Sequence, residues 1–105
     1  MNLAERLRQD QHLAILHLLE RCIGYSQNHA ILRMAVGQAV GVELTDTEIR
    51  ARLDWLENNN LITTEQISGG GLGDLVKATI TRKGQLVARG EDVVNGVSRP
   101  APGSF

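Results

Sequence analysis

The chain has few of the residues that mark secreted, membrane-bound or base-stacking proteins. It has one cysteine, Cys22, so it cannot form an internal disulfide, and we expect a reducing, cytoplasmic setting. No apolar run approaches the ~18 residues of a membrane span, and the sequence does not open with a signal-peptide pattern. Aromatic residues make up only 3%, so the core must be aliphatic and surface base-stacking platforms are not expected.

An excess of either charge is also missing. Eleven Lys and Arg residues against twelve Asp and Glu residues give a net charge of −1 at pH 7. Because strong nucleic-acid binders usually carry a clear basic excess, the bulk charge does not favour that class. The distribution is uneven, since residues 43–68 hold six acidic and two basic side chains, whereas five basic residues lie between positions 77 and 99.

The length of 105 residues suits one domain. We expect that domain to cover residues 1–92. Residues 93–105 contain both prolines and show no periodicity, so we expect an irregular, poorly ordered tail.

Hydrophobic periodicity and helix caps predict four helices. The clearest start is the capping box of Thr45 and Glu48, because each side chain can bond the backbone of the other residue. The other three predicted caps are Asn2, Asn28 and Thr81. The predicted helices cover residues 2–23, about 29–40, a third stretch from the capping box to Asn58–Asn60, and 82–89.

Between the third and fourth helices the pattern changes to two β-branched runs. Residues 61–67 and 75–81 read as strands, and the glycine-rich segment 68–74 reads as a mobile loop between them. Because a lone hairpin is only marginally stable, it must pack against the helices. The predicted fold is therefore mainly α with a small β-hairpin, the winged helix-turn-helix.

Two stretches resemble known winged-helix regulators. Residues 49–62 (IRARLDWLENNNLI) are similar to the recognition helix and first wing strand of ArsR and MarR proteins. Residues 78–84 (ATITRKG) are similar to their step from the second wing strand into the last helix. The whole chain, with its Arg99-Pro100 tail, resembles a small winged-helix family of Mu-like prophages. The resemblance implies a DNA-binding, transcription-regulator-like protein of phage or prophage origin.

The third helix supplies the candidate DNA contacts. If its apolar residues face inward, Thr47 and Arg50 face outward, and Arg50 and Arg52 can read guanine edges or hold phosphates. The alternative is a solvated helix face with local ion pairs, such as Glu48 with Arg52. The full predicted DNA-binding set is Thr47, Arg50, Arg52, Lys77, Arg82 and Lys83.

The first helix has a second apolar stripe formed by Leu3, Leu7, Ala14 and Leu18. In a domain this small, one face of the helix is enough for the core. The stripe therefore predicts a homodimer through this helix, with additional core as the alternative.

Other chemistry has no pattern to support it. His12, His17 and Cys22 are spaced five apart and point in different directions, so no metal site is expected. His29, in the first turn of the second helix, is expected to be exposed or capping. The glycine-rich loop lacks the Lys and Ser/Thr of a P-loop, and no catalytic set is visible. We expect no enzyme and no cofactor.

The alternative function is a protein-interaction module, for instance a phage assembly or accessory factor.

Overall fold

The computed structural model describes residues 2–68 and 73–101. The described part is mainly helical with a small antiparallel sheet, and the predicted bounds lie within two residues of the observed ones. In chain order the elements are helix α1 (Leu3–Arg21), a 3₁₀ turn (Ile23–Tyr25), strand β1 (Ser26–Asn28), helix α2 (His29–Val40), helix α3 (Asp46–Asn58), strand β2 (Ile62–Ser68), strand β3 (Asp74–Ile80) and helix α4 (Arg82–Ala88).

The helices start where the cap residues predict. At α3 the Oγ1 of Thr45 accepts the Glu48 N–H at 3.1 Å, and Glu48 Oε1 accepts the Thr45 N–H at 2.9 Å. This pair satisfies donors that the first helical turn would otherwise leave free. The remaining helices are capped by side chains of Asn2, Asn28 and Thr81.

The sheet has a strand that the sequence does not predict. β1 pairs antiparallel with β3, so the order is β1-β3-β2 and β3 is the central strand rather than half of a hairpin. α1 ends at Arg21, and the chain reaches β1 through a turn in which Gly24 and Tyr25 have φ of 72° and 59°. The three polar residues of β1 show no apolar alternation, because backbone pairing with β3 and a hydrogen bond between the Ser26 and Thr79 hydroxyls at 2.7 Å hold them in the sheet.

One aliphatic cluster fills the centre, and every helix contributes to it. α3 supplies Ile49, Leu53 and Leu56, each at most 1% exposed. Its outer face is therefore left to the polar residues. The other buried apolar residues are Ile15, Leu16, Leu19, Leu32, Val36, Leu44, Leu61, Ile62, Ala78, Ile80, Val87, Ala88 and Val97.

Val97 lies in the tail that is expected to be irregular and poorly ordered; the described residues 93–101 are irregular, but Val97 is 7% exposed and packs in the core. The Gly96 carbonyl oxygen accepts a hydrogen bond from His12 Nδ1 at 2.7 Å, and the Ser98 N–H donates to the Gln9 carbonyl at 3.2 Å. The segment has no helix or strand, and it is held by contacts with α1 and, at Gly96, with Trp55 of α3, which leave no periodic signal in the sequence.

The order of elements is compatible with a winged helix, with α2 and α3 as the helix-turn-helix and β2–β3 as the wing. The tip of the predicted mobile loop, residues 69–72, lies outside the described residues.

Gly84 in α4 allows the close packing of that helix on the start of β2. A Cβ here would overlap the Leu61 carbonyl oxygen and lie 2.7 Å from Ile80 Cγ1. We expect Gly84→Ala to lower the free energy of unfolding by about 3 kcal/mol, because backbone must move to relieve the overlap. Urea unfolding measures this, with Gln85→Ala as the neighbouring control, expected to cost less than about 1 kcal/mol. Equal midpoints for Gly84→Ala and the parent would contradict the packing described.

Candidate nucleic-acid interface

His29 connects α2, α3 and the sheet. It is the first residue of α2 and is 3% exposed, so the expectation of an exposed or capping residue is wrong. Its Nδ1 accepts the backbone N–H of Val76 in β3 at 3.0 Å, and its Nε2 lies 3.0 Å from Asp46 Oδ1. Because Nδ1 acts as an acceptor, we assign the proton to Nε2, which donates to Asp46. The ring thereby holds the start of α3 against the base of the wing.

Arg50 lies beside this bridge. Its Nε donates to Asp46 Oδ2 at 2.7 Å, and its Nη2 lies 3.5 Å from the Asp74 carbonyl oxygen at the start of β3. The Arg50 and His29 hydrogen bonds hold the pKa of Asp46 below its usual value. Asp46 therefore pairs with the α3 cation that reaches the start of β3.

Arg52 occupies a different surface. Its Nε donates to Oε1 of Gln11 in α1 at 2.8 Å, and Gln11 is 2% exposed. Burial, with the positive charge of Arg8, lowers the pKa of Arg52. Glu48 uses Oε1 in the capping box, and no ion pair between it and Arg52 is found in the described part of the chain. Arg50 and Arg52 therefore point to different sides of α3, Arg50 towards the wing and Arg52 towards α1.

The remaining basic residues lie elsewhere around α3. Lys77 is half-buried in β3 and sits opposite Glu65 of β2. Arg82 and Lys83 are exposed at the start of α4, and Lys83 Nζ lies 3.5 Å from the Asn59 carbonyl at the C-terminal end of α3. Thr47 is exposed in the first turn of α3, roughly 18 Å along the axis from that end.

The structure therefore brings together only part of the predicted set. Thr47 and Arg50 share the wing-side end of α3, with Lys77 on the neighbouring strand. The sequence gives no sign of His29 and Asp46, which organise this end, because they are seventeen positions apart and follow no known spacing.

A second polar arrangement joins α1, α3 and the tail. The His12 ring stacks on Trp55 with centroids 4.2 Å apart and planes 9° apart. Nδ1 donates to the Gly96 carbonyl, so Nε2 is an acceptor, and it is buried without a partner among the described residues. The pKa of His12 is lowered to about 4, mainly by burial and in part by the positive charges of Arg52 and Arg8. The hydrogen bond to the Gly96 carbonyl acts in the opposite direction and raises the pKa.

The predicted dimer stripe is divided along α1. Leu3 is 85% exposed, whereas Leu7 is half-buried. Ala14 and Leu18 are also half-buried, and they pack against the hydrophobic core. The two ends of the stripe therefore have different surroundings.

Residues 2–68 and 73–101 contain neither a metal-binding cluster nor a membrane-spanning helix. No group of three or more His, Cys, Asp or Glu side chains there could hold a metal ion. None of the helices combines the length and hydropathy needed to cross a bilayer.

Comparison with solved structures supports the class of fold. The structure of hsRosR-S1 matches with a TM-score of 0.57 at 16% identity, over 70% of this chain and 59% of that one. The structure of hsRosR-S4 matches with a TM-score of 0.57 at 17% identity, over 74% of this chain and 67% of that one. With the element order, these matches support a domain of winged-helix type.

Comparison of sequences gives the family. No protein-family model matches the chain. The uncharacterized protein gp26 of Escherichia phage Mu is 34% identical over 96 residues, which cover 91% of this chain and 93% of gp26. An uncharacterized protein of Haemophilus influenzae Rd is 31% identical over 70 residues, 67% of each chain. The chain belongs to the family of phage Mu gp26. The resemblance to a phage family is confirmed, and the likeness to ArsR and MarR stays a prediction.

His12 predicts a pH dependence of stability. Its pKa falls from 6.5 to about 4 on folding, so the unfolded chain binds more protons between these values. Above about pH 6.5 His12 is neutral in both states and does not lower the free energy of unfolding. As the pH falls from 6.5 towards 4, protonation of His12 in the unfolded chain lowers the free energy of unfolding. We expect the parent to lose about 2 kcal/mol more than His12→Asn between pH 7 and about pH 4.5.

Denaturant unfolding at the two pH values measures this difference. Asn can still donate to the Gly96 carbonyl but does not titrate, so it isolates protonation from loss of that hydrogen bond. Equal pH dependence in parent and variant would contradict the assignment.

Proposed function

We propose that this protein is a non-enzymatic, transcription-regulator-like protein that binds duplex DNA through the outer face of α3 and the adjoining wing. The observation that carries the proposal is the continuity of these two elements. His29 bonds both Asp46 of α3 and Val76 of β3, and Arg50 reaches Asp74. In a winged helix, α3 enters the major groove while the flanking elements contact the backbone.

The proposed contacts divide by chemistry. Thr47 and Arg50, at the wing-side end of α3, are placed to meet base edges or the adjacent phosphates. Lys77, Arg82 and Lys83 would contact phosphates. Arg52 leaves the set because Gln11 holds it on the α1 side of the helix.

Charge limits the affinity of this surface. At most four cations face the proposed duplex, so the slope of log K against log salt should be no steeper than about −4 per chain. Non-specific binding should be weak, with a Kd of ~10⁻⁴ M at physiological salt. Specific binding then depends on two copies that reach successive major grooves.

Asp46 and Arg50 give the sharpest test. In Asp46→Asn the Oδ1 can still accept from His29, but the counterion of Arg50 is gone. We expect this variant to bind a random duplex about threefold or more tightly, and Arg50→Gln to bind about threefold or more weakly, at low salt. Fluorescence anisotropy with labelled DNA measures both.

Glu91→Gln is the matched control for Asp46→Asn. It changes the net charge by the same amount on an exposed residue beyond the far end of α4. We expect its affinity to stay near that of the parent. An equal gain in both acidic variants, or no effect of Arg50→Gln, would contradict binding through α3.

The α1 stripe supports a homodimer as part of the proposal. Leu3 exposes 85% of its surface at the start of α1, with half-buried Leu7 one turn later. An amphipathic helix with such an uncovered end suits pairing with the same helix of a second copy.

We expect Leu3→Glu with Leu7→Glu to convert a dimer into a folded monomer, because the charges would face each other across the interface. Light scattering gives the mass and circular dichroism the fold, with Ala4→Glu as a one-charge control on the exposed side of the same turn. A parent that is monomeric at high micromolar concentration rules out this dimer.

Protein docking is the second candidate function. It is favoured by the neutralisation of Arg50 and by exposed Asp54 on the outer face of α3. Absence of any binding to duplex DNA at low salt, by the parent and by Asp46→Asn alike, would favour this function over the first.

A further inference from the structure

A cleft of about 350 Å³ lies between α1 and α3, on the side of α3 that carries Arg52. Arg8 of α1 and Arg52 of α3 line it from opposite sides. His12, Trp55 and Gly96 form the adjoining wall, so the cleft joins two helices and the ordered tail. The proposed DNA contacts use none of these residues.

The guanidinium groups of Arg8 and Arg52 have N–H donors without a partner among the described residues. Arg8 is exposed and makes no ion pair with any residue of 2–68 or 73–101. Arg52 uses Nε on the buried Gln11, and within the described ranges neither Nη group has a hydrogen-bond partner. Gln11 therefore fixes the orientation of Arg52 without neutralising its charge.

Nearby carboxylates offset this positive charge only in part: the charge of Glu48 raises the pKa of Arg52, but the two residues form no ion pair within residues 2–68 and 73–101. Glu5 also lines the cleft but lies beyond ion-pair distance of both arginines. Glu48 is engaged in the Thr45 capping box. Two like charges that face one cleft repel each other, and an anion between them would relieve that repulsion.

His12 adds an acceptor to these donors. It is 4% exposed, and its Nε2 is buried with no partner among the described residues. A buried acceptor left unsatisfied is costly, so a ligand whose proton donor displaces the side chains that cover Nε2 would gain from it. An anion that also carries an O–H group has both properties, and a singly protonated phosphate is such an anion.

We propose that this cleft binds a phosphate group, as the free anion or as a phosphate monoester. Arg8 and Arg52 donate to its charged oxygens, and His12 Nε2 accepts from its protonated oxygen. Sulfate has similar size and shape but carries no proton at neutral pH, so it can satisfy the arginines and not the histidine. The phosphodiesters of a DNA backbone lack that proton too.

Inorganic phosphate is the probe, and Trp55 is the reporter, because it is the single tryptophan of the chain and lines the cleft. The full-length protein is titrated at pH 7 and constant ionic strength, and both fluorescence and melting temperature are followed. We expect a saturable phosphate response in the parent and at least about tenfold weaker binding of sulfate. No DNA is present, so the result is independent of the proposed function.

Three arginine variants locate the response. Arg8→Gln and Arg52→Gln should each weaken phosphate binding by about tenfold or more. Arg8→Gln removes no hydrogen bond or ion pair with residues 2–68 and 73–101, so it decides the matter even if Arg52→Gln unfolds. Arg6→Gln is the matched control, because Arg6 is on the same helix, pairs with Asp10 and does not line the cleft.

The proposal is overturned by any of three results. The parent shows no saturable response to phosphate, sulfate binds as well as phosphate, or Arg6→Gln loses as much affinity as Arg8→Gln.

Discussion

The buried imidazole of His29 is the constraint on which the proposed DNA-binding end of this domain depends. Both of its ring nitrogens need partners, because an unsatisfied buried polar group costs about 1–3 kcal/mol. One partner is a backbone N–H of β3 and the other is the Asp46 carboxylate of α3. The relative placement of α2, α3 and the wing base follows, since a shift of any one of them would leave a polar atom without a partner.

The same carboxylate creates a conflict between architecture and charge. Asp46 accepts from His29 through one oxygen and from Arg50 through the other. The residue that positions α3 beside the wing is thus also the residue that neutralises the cation there. A DNA-binding surface built this way keeps the geometry of a winged helix and gives up part of its electrostatic attraction. Discrimination by shape and by base contacts would then matter more than non-specific affinity.

Sequence alone predicts the regular elements well, and for local reasons. The capping box at Thr45 and the apolar spacing of Ile49, Leu53 and Leu56 are short-range signals that need no knowledge of the fold. β1 escapes prediction because its three polar residues depend on β3, which is some fifty positions away.

The site is less predictable than the fold for the same reason. Thr47 is exposed as the helical pattern implies, but the destination of each arginine depends on its tertiary neighbours. Arg52 turns to Gln11 of α1, and Arg50 turns to Asp46 and the wing. The ordered tail depends on His12 in the same way. Partners so distant in sequence follow no spacing rule.

We propose that α3 and the wing base form one surface, and that this surface receives duplex DNA. Backbone amide chemical shifts of the ¹⁵N-labelled full chain, followed during titration with a random duplex at low salt, test it most directly. The account predicts that the amides of Thr47 and Ala51 in α3 move together with those of Asp74–Lys77 in β3. Shifts in α3 without the wing, or shifts confined to other elements, would contradict it.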